Sequence, residues 1–140
     1  MKKHSAVLAG VLTLVIAATP AFADWGDSPK GCSVATLRGT YAYAQTGTEN
    51  GLPFTAAGRE TYDGKGNITF VELYTQAGVT STYTGTSTYS VTKDCTASSY
   101  NDTYTYFVAP DGREFYYSSN STSGIISVGR EDRLSLDLLF

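Results

Sequence analysis

The sequence predicts an all-β protein that folds as a single antiparallel up-and-down β-barrel of about eight strands. Thr, Ser, Tyr and Gly are abundant after Ala23, and no 3.6-residue apolar period occurs there. Strong turn signals, such as Asp63-Gly64 and Pro110-Asp111-Gly112, separate runs of β-branched and aromatic residues. The runs follow one another too closely for crossover helices. Short strands with short connections are typical of a meander that closes into a barrel.

Residues 1–23 have the features of a signal peptide. A basic start at Lys2 and Lys3 precedes an apolar run, Ala6–Ala18, and the motif Ala21-Phe22-Ala23 is a cleavage signal. The apolar run is too short to span a membrane. We therefore expect export to the periplasm or the extracellular space, with no stable membrane insertion after the leader is removed.

Removal of the leader leaves residues 24–140, which is enough for one domain with a modest core. Loss of Lys2 and Lys3 changes the formal net charge from −3 to −5. The remaining basic residues are scattered, whereas nucleic acid and anionic lipid require a clustered positive surface. We expect neither as a partner, and the sequence does not define the oligomeric state.

The elements follow in order along the chain. Residues 24–31 contain Pro and Gly and are predicted to be an extended lead-in, so the barrel domain is expected over residues 32–140. Turn residues separate most of the predicted strands. These strands are Leu37–Gln45, Phe54–Tyr62, Ile68–Thr75, Val79–Thr84, Thr86–Thr92, Ser98–Val108, Arg113–Ser118 and Gly124–Arg130.

The hairpin over Gly58–Tyr74 is the strongest local prediction. Asp63-Gly64 and Gly66-Asn67 accept left-handed backbone angles between two β-rich runs. Closure into a barrel is favoured because it removes an exposed sheet edge, and a β-sandwich is the alternative. The last residues, Leu134–Phe140, alternate weakly and are either a final strand or an apolar tail.

Cys32 and Cys95 are the only cysteines. An even pair in a small exported domain predicts a disulfide, and the absence of a C-x-x-C motif argues against a metal or redox site. The only histidine, His4, lies in the leader, so no Ser-His-Asp or Cys-His arrangement is available. We expect no metal and no cofactor.

Glu60 and Glu72 lie within the strands of the central hairpin. By two-residue alternation, Phe70, Glu72 and Tyr74 share one face of their strand, but both faces are partly apolar. The pattern favours solvent-facing carboxylates that keep the sheet soluble. In the alternative, an inward Glu72 among aromatic rings is paired or has a raised pKa, and is then a functional-site candidate.

The sequence contains eleven tyrosines. Most of them are expected to pack across strands in a core that has few Leu and Ile residues. An apolar ring with a polar tip also suits a pocket for a mostly apolar ligand, so a few are expected to line one. The candidate ligand-binding residues are Tyr41, Tyr43, Phe70, Glu72, Tyr104 and Tyr106.

Three segments carry a resemblance to known proteins. They are Leu37-Arg38-Gly39-Thr40-Tyr41 after Cys32, Gly58-Arg59 through Asn67-Ile68-Thr69, and Gly85-Thr86 through Asp94-Cys95-Thr96. Over about Cys32 to Arg130 the chain resembles a group of small exported bacterial proteins of largely unknown function, whose barrels are similar to calycins and allene-oxide cyclases. The residues that match are turn and strand-packing residues.

The resemblance implies a barrel that binds a small, mostly apolar molecule against a Tyr-rich wall. One alternative is a cofactor-free isomerase or cyclase that uses an inward Glu60 or Glu72 with Tyr hydroxyls. A structural or interaction protein with a filled core is a further alternative. The sequence favours a protein that is not an enzyme, because no catalytic signature is found.

Overall fold

The computed structural model describes residues 31–119 and 124–136. A 3₁₀ turn at Val34–Thr36 precedes eight strands. The strands are β1 (Arg38–Glu49), β2 (Leu52–Asp63), β3 (Asn67–Gln76), β4 (Val79–Val91), β5 (Thr96–Ser99), β6 (Tyr104–Val108), β7 (Glu114–Ser119) and β8 (Ile125–Ser135).

The eight strands form a closed barrel in sequence order. Each strand pairs antiparallel with the next one in the chain, and β8 pairs with β1 to complete the ring. A shift of register between Thr40 and Tyr41 marks a bulge in β1. Closure excludes the sandwich alternative, so the predicted up-and-down barrel is confirmed.

The central hairpin also forms as predicted, with β2 and β3 joined by a short turn. Gly64 and Gly66 have φ angles of +75° and +107°, which favour glycine because it lacks a Cβ atom. The Asp63 carboxylate accepts hydrogen bonds from the backbone N–H groups of Lys65 (2.7 Å) and Asn67 (3.0 Å). The turn residues themselves therefore fix the register of this pair.

The predicted break at Gly85 is wrong, because β4 continues through it as one strand. Gly85 pairs with Phe70 of β3, and a Cβ atom at this position would lie 2.9 Å from the Phe70 ring. The glycine thus makes room for an aromatic ring instead of ending the strand.

The predicted single strand Ser98–Val108 is also wrong, because a turn divides it into β5 and β6. Tyr100, Asn101 and Asp102 all have positive φ angles, between +52° and +62°. Asn and Asp tolerate this left-handed conformation, so Asn101-Asp102 was a turn signal that the prediction did not use.

The predicted last strand, which ended at Arg130, extends in β8 to Ser135. Leu134 and Ser135 therefore belong to the closing strand and not to an apolar tail. Residues 137–140 lie outside the described residues, as do the predicted signal peptide at residues 1–23 and most of the predicted lead-in at residues 24–31.

The hydrophobic core fills one end of the barrel, which we call the closed end. Leu37 is fully buried directly after the Val34–Thr36 turn, and inward side chains from seven of the strands pack around it. The members of this cluster are Leu37, Tyr41, Tyr62, Ile68, Tyr89, Ala97, Tyr106, Val108, Phe115 and Tyr117.

Backbone carbonyls accept the hydroxyl groups of two tyrosines in the closed end. Tyr41 donates to the Gly112 carbonyl (2.6 Å) and accepts from Nε of Arg133 (3.0 Å). Tyr89 donates to the Leu37 carbonyl (2.8 Å). A buried hydroxyl without such a partner costs roughly 1–3 kcal/mol, so these bonds allow tyrosine to replace aliphatic residues in the core.

The Cys32–Cys95 disulfide is present at the closed end, as predicted, with the two Cα atoms 4.9 Å apart. It joins the segment before Val34 to the turn between β4 and β5. Cys32 N–H also donates to the Lys93 carbonyl (3.2 Å). Within residues 31–119 and 124–136, no helix has the length and hydropathy needed to cross a membrane.

Replacement of Cys32 and Cys95 by serine is expected to lower the melting temperature by more than about 10 °C. The bridge closes a loop between positions 63 apart in sequence, and in the chain-entropy model such a loop contributes roughly 4 kcal/mol. Thermal unfolding followed by far-UV circular dichroism checks this, with the strand signal of the folded state unchanged. The Cys32→Ser single variant should lose as much as the double variant. A double variant that melts within about two degrees of the parent would contradict the prediction.

Candidate ligand-binding cavity

The half of the barrel above the closed end contains a cavity of about 390 Å³. Its wall consists of inward side chains from most of the strands and from the turn between β5 and β6. The lining residues are Tyr43, Gln45, Glu49, Phe54, Glu60, Phe70, Glu72, Tyr74, Tyr83, Tyr100, Thr103, Tyr104, Tyr106, Tyr117, Ile125 and Glu131.

Inward-facing glycines make room for the rings of this wall. A Cβ atom on Gly129 of β8 would overlap the ring of Tyr117, and one on Gly58 of β2 would lie 2.9 Å from the ring of Tyr43. These two rings therefore lie against a neighbouring strand, in space that a side chain on the glycine would take.

Five of the six sequence-predicted candidate residues lie on the cavity wall: Tyr43, Phe70, Glu72, Tyr104 and Tyr106. The sixth, Tyr41, lies in the closed end, where its ring contacts Tyr62 (5.2 Å between centroids) and Phe115 (5.4 Å). Tyr41 is therefore placed as a packing residue beneath the cavity. A role of the other five in ligand binding stays a prediction.

The expectation that Glu60 and Glu72 face solvent is wrong, because both line the cavity. Glu72 accepts hydrogen bonds from the Tyr43 hydroxyl (2.7 Å) and from Nε2 of Gln45 (3.4 Å). Glu60 is only 6% exposed. Tyrosine hydroxyls supply the hydrogen bonds that make these inward carboxyl groups tolerable.

Glu60 and Glu131 form a pair of buried carboxyl groups at the boundary between the cavity and the closed end. Glu60 accepts hydrogen bonds from the hydroxyls of Tyr62 (2.5 Å) and Tyr100 (2.7 Å). Glu131 is 2% exposed, and its Oε2 atom has no hydrogen-bond partner. β1 separates β2 from β8 here, so the two carboxyl groups reach the same region from either side of one strand.

Burial raises the pKa of both carboxyl groups above the ordinary value of 4.5. For Glu131, negative charge on Glu60 raises the pKa further, because two nearby carboxylates disfavour each other's ionisation. For Glu60, hydrogen bonds from Tyr62 and Tyr100 partly offset the effect of burial. The two carboxyl groups therefore titrate as a pair, which holds a proton more readily than two exposed carboxyl groups do.

The cavity tyrosines are hydrogen-bond donors at any physiological pH. Burial raises the pKa of Tyr43, Tyr100 and Tyr117, and nearby carboxylates raise it further. At the closed end, burial raises the pKa of Tyr89 to about 12. Neutral hydroxyls therefore face the carboxylates across the cavity.

The rim of the cavity is uneven because the strands differ in length. β1 to β4 have 10 to 13 residues, whereas β5 to β7 have 4 to 6. On the side formed by the longer strands, the Tyr74 hydroxyl donates to Glu49 (2.5 Å), and the Tyr74 ring stacks on Phe54 (5.1 Å between centroids). Tyr83 of β4 lies at the same level and is 51% exposed.

Sequence reasoning missed Glu131, since the predicted last strand stopped one residue before it. Two-residue alternation was the available signal, because Ser127, Gly129 and Glu131 share one face of β8. Within the described part of the chain, no group of three or more His, Cys, Asp or Glu side chains is arranged to hold a metal ion.

No protein-family model matches the sequence, and no curated protein matches it significantly. Among solved structures, the chain is similar to a redesigned β-barrel, mFAP1, in a structure bound to DFHBI. The similarity has a TM-score of 0.45 and 21% sequence identity, and it covers 71% of this chain and 97% of that one. Function is therefore inferred from the cavity itself.

Because the pKa of Glu131 is raised in the folded state, ionisation of this residue should lower the free energy of unfolding as pH rises. The folded state binds the proton more tightly than the unfolded state, so the stability is greatest below the ordinary pKa of 4.5 and declines as pH rises towards the raised pKa. Glu131→Gln removes this titration. We expect its melting temperature to fall less than that of the wild type between pH 5 and pH 9.

The matched control is Glu114→Gln, which removes a carboxylate from an exposed ion pair with Arg130 on the outer face. Its melting curve should keep the pH dependence of the wild type. Parallel dependences for Glu131→Gln and the wild type would show that Glu131 ionises in the folded state as easily as in the unfolded state.

Proposed function

We propose that this chain is an exported binding protein that holds a small, mostly apolar molecule in the barrel cavity. The open half of the interior is the observation that supports it. A cavity of about 390 Å³ lies within the range of small-molecule sites, which is roughly 300–1,000 Å³. The same cavity argues against the alternative of a structural protein with a filled core.

The chemistry of the wall suits such a ligand. Phe54, Phe70 and the faces of the tyrosine rings provide apolar contact area, while tyrosine hydroxyls, an amide and carboxyl groups on the same wall can orient a ligand. The disulfide is consistent with an oxidising compartment, which supports export to the periplasm or the extracellular space. The resemblance to small exported bacterial barrels supports the same location.

Filling the cavity should abolish binding of an apolar probe. Ile125 lines the cavity, whereas the next residue, Ile126, points outward and is 65% exposed. We expect Ile125→Trp to weaken saturable binding of N-phenyl-1-naphthylamine by at least about tenfold, because the indole ring occupies the part of the cavity in which the dye binds. A fluorescence titration measures the change.

Ile126→Trp is the matched control, since it adds the same indole to the opposite face of the same strand. Its affinity for the dye should equal that of the wild type. No saturable uptake by the wild type, or equal binding by all three proteins, would remove the proposal.

A second candidate is a cofactor-free isomerase or cyclase, and the inward position of Glu72 favours it. A carboxylate held by Tyr43 inside an aromatic cavity has the position that a general base requires, and nearby hydroxyls can stabilise developing negative charge. In this reading Glu72 removes a proton from the bound molecule and the tyrosines hold the resulting oxyanion.

A general-base probe tests this candidate without knowledge of the substrate. 5-Nitrobenzisoxazole loses its C3 proton to a base as the N–O bond breaks, which yields the coloured 2-cyano-4-nitrophenolate. We expect a saturable acceleration that falls roughly 100-fold in Glu72→Gln and is unchanged in Glu114→Gln. A rate equal to that of free carboxylate in solution would eliminate the candidate.

A further inference from the structure

The charge of the cavity wall has one sign. Four of its side chains are glutamates, namely Glu49, Glu60, Glu72 and Glu131, and none of the described residues that line it is Lys, Arg or His. Carboxyl groups in a partly desolvated site are costly unless positive charge or hydrogen-bond donors compensate them. The wall is therefore complementary to a positively charged guest.

Three of the four glutamates already have donors within the protein. Tyr74 donates to Glu49, Tyr62 and Tyr100 donate to Glu60, and Tyr43 donates to Glu72. These three glutamates are accounted for as acceptors of tyrosine hydroxyl groups.

Glu131 differs, because its carboxyl group interacts with Tyr62 and Glu60 yet leaves one oxygen atom without a partner. Its side chain is buried and lines the cavity, yet its Oε2 atom has no hydrogen-bond partner. Buried polar atoms in folded proteins nearly always have partners, so an unsatisfied carboxyl oxygen at a cavity wall indicates a missing donor. An N–H group of a ligand would supply that donor.

The rings of the wall complete a site for an organic cation. Ammonium groups are attracted to the faces of aromatic rings, and Tyr43, Tyr106 and Tyr117 line the same cavity as Glu131. A metal ion fits less well, because a metal needs several converging ligands and the described residues contain no such group. The net negative charge of the chain, formally −3, also favours the approach of cations.

We infer that the ligand is a small organic cation, an amine whose ammonium group contacts Glu131 while its apolar body packs against the tyrosine and phenylalanine rings. This inference rests on the proposed binding function and specifies the chemical class of its ligand. The ammonium group supplies the N–H donor and the positive charge that the cavity wall lacks. Its charge favours the ionised form of Glu131, so the carboxyl group releases any proton it holds when the amine binds.

Three probes of nearly equal size and different charge test the inference on the purified protein without its leader. They are 2-phenylethylamine, which is cationic at pH 7.5, neutral 2-phenylethanol, and anionic 3-phenylpropionate. Isothermal titration calorimetry should give the amine roughly a tenfold or greater advantage over the alcohol, with the carboxylate weakest. The amine should also displace N-phenyl-1-naphthylamine.

Variants locate the charge that is recognised. We expect Glu131→Gln to weaken binding of the amine by roughly tenfold or more while the affinity for 2-phenylethanol stays the same. Glu114→Gln, on the outer face, should leave both affinities unchanged. Should Glu131→Gln fail to fold, Glu72→Gln serves instead, because its amide oxygen still accepts the Tyr43 hydroxyl while the charge is removed.

The results separate the two proposals. If the dye and the alcohol bind and the amine gains nothing, or if the glutamine variants bind the amine as the wild type does, the inference is overturned and the binding function stands. If neither the dye nor any of the three probes binds, the binding function fails as well. An advantage of the amine that is lost selectively in Glu131→Gln supports both.

Discussion

The structure depends on the need of buried tyrosine hydroxyls for acceptors. A barrel interior filled with Leu or Ile needs no polar partners, whereas one filled with Tyr must give each hydroxyl a hydrogen bond. At the closed end backbone carbonyls such as that of Gly112 serve this purpose. Further up, glutamates of β1, β2 and β3 accept the hydroxyls. The acidic character of the cavity thus follows from the choice of tyrosine as the main core residue.

The position of the tyrosine rings and of Leu37 also accounts for a barrel that is filled at one end only. The ring of Tyr117 occupies the space beside Gly129 that a side chain would otherwise take, so it lies against the wall of the barrel. Where Leu37 enters from one end, the axis is filled and the core is continuous. Above Glu60 and Glu131, none of the residues in 31–119 and 124–136 fills the axis in this way, and a cavity is present.

Much of the fold was predictable because its signals are local. Asp63-Gly64 and Pro110-Asp111-Gly112 set two hairpins, and the strand count was right although two of the divisions between strands were wrong. The false break at Gly85 adds one strand and the missing turn at Asn101-Asp102 removes one, so the two errors cancel in the count. The inward position of Glu60 and Glu72 was not predictable, because it depends on hydroxyls of Tyr62 and Tyr43, and the pairing with Tyr43 depends on the register between strands.

The division of the barrel into a closed end and an open half has an evolutionary consequence. The disulfide, the Val34–Thr36 turn and the Leu37 cluster hold the chain at one end, and none of these residues except Tyr106 and Tyr117 reaches the cavity. Rim residues such as Tyr83 and Ile125 can therefore be exchanged with little effect on folding. Homologues of this barrel can therefore change the ligand that they bind while the residues of the closed end stay the same.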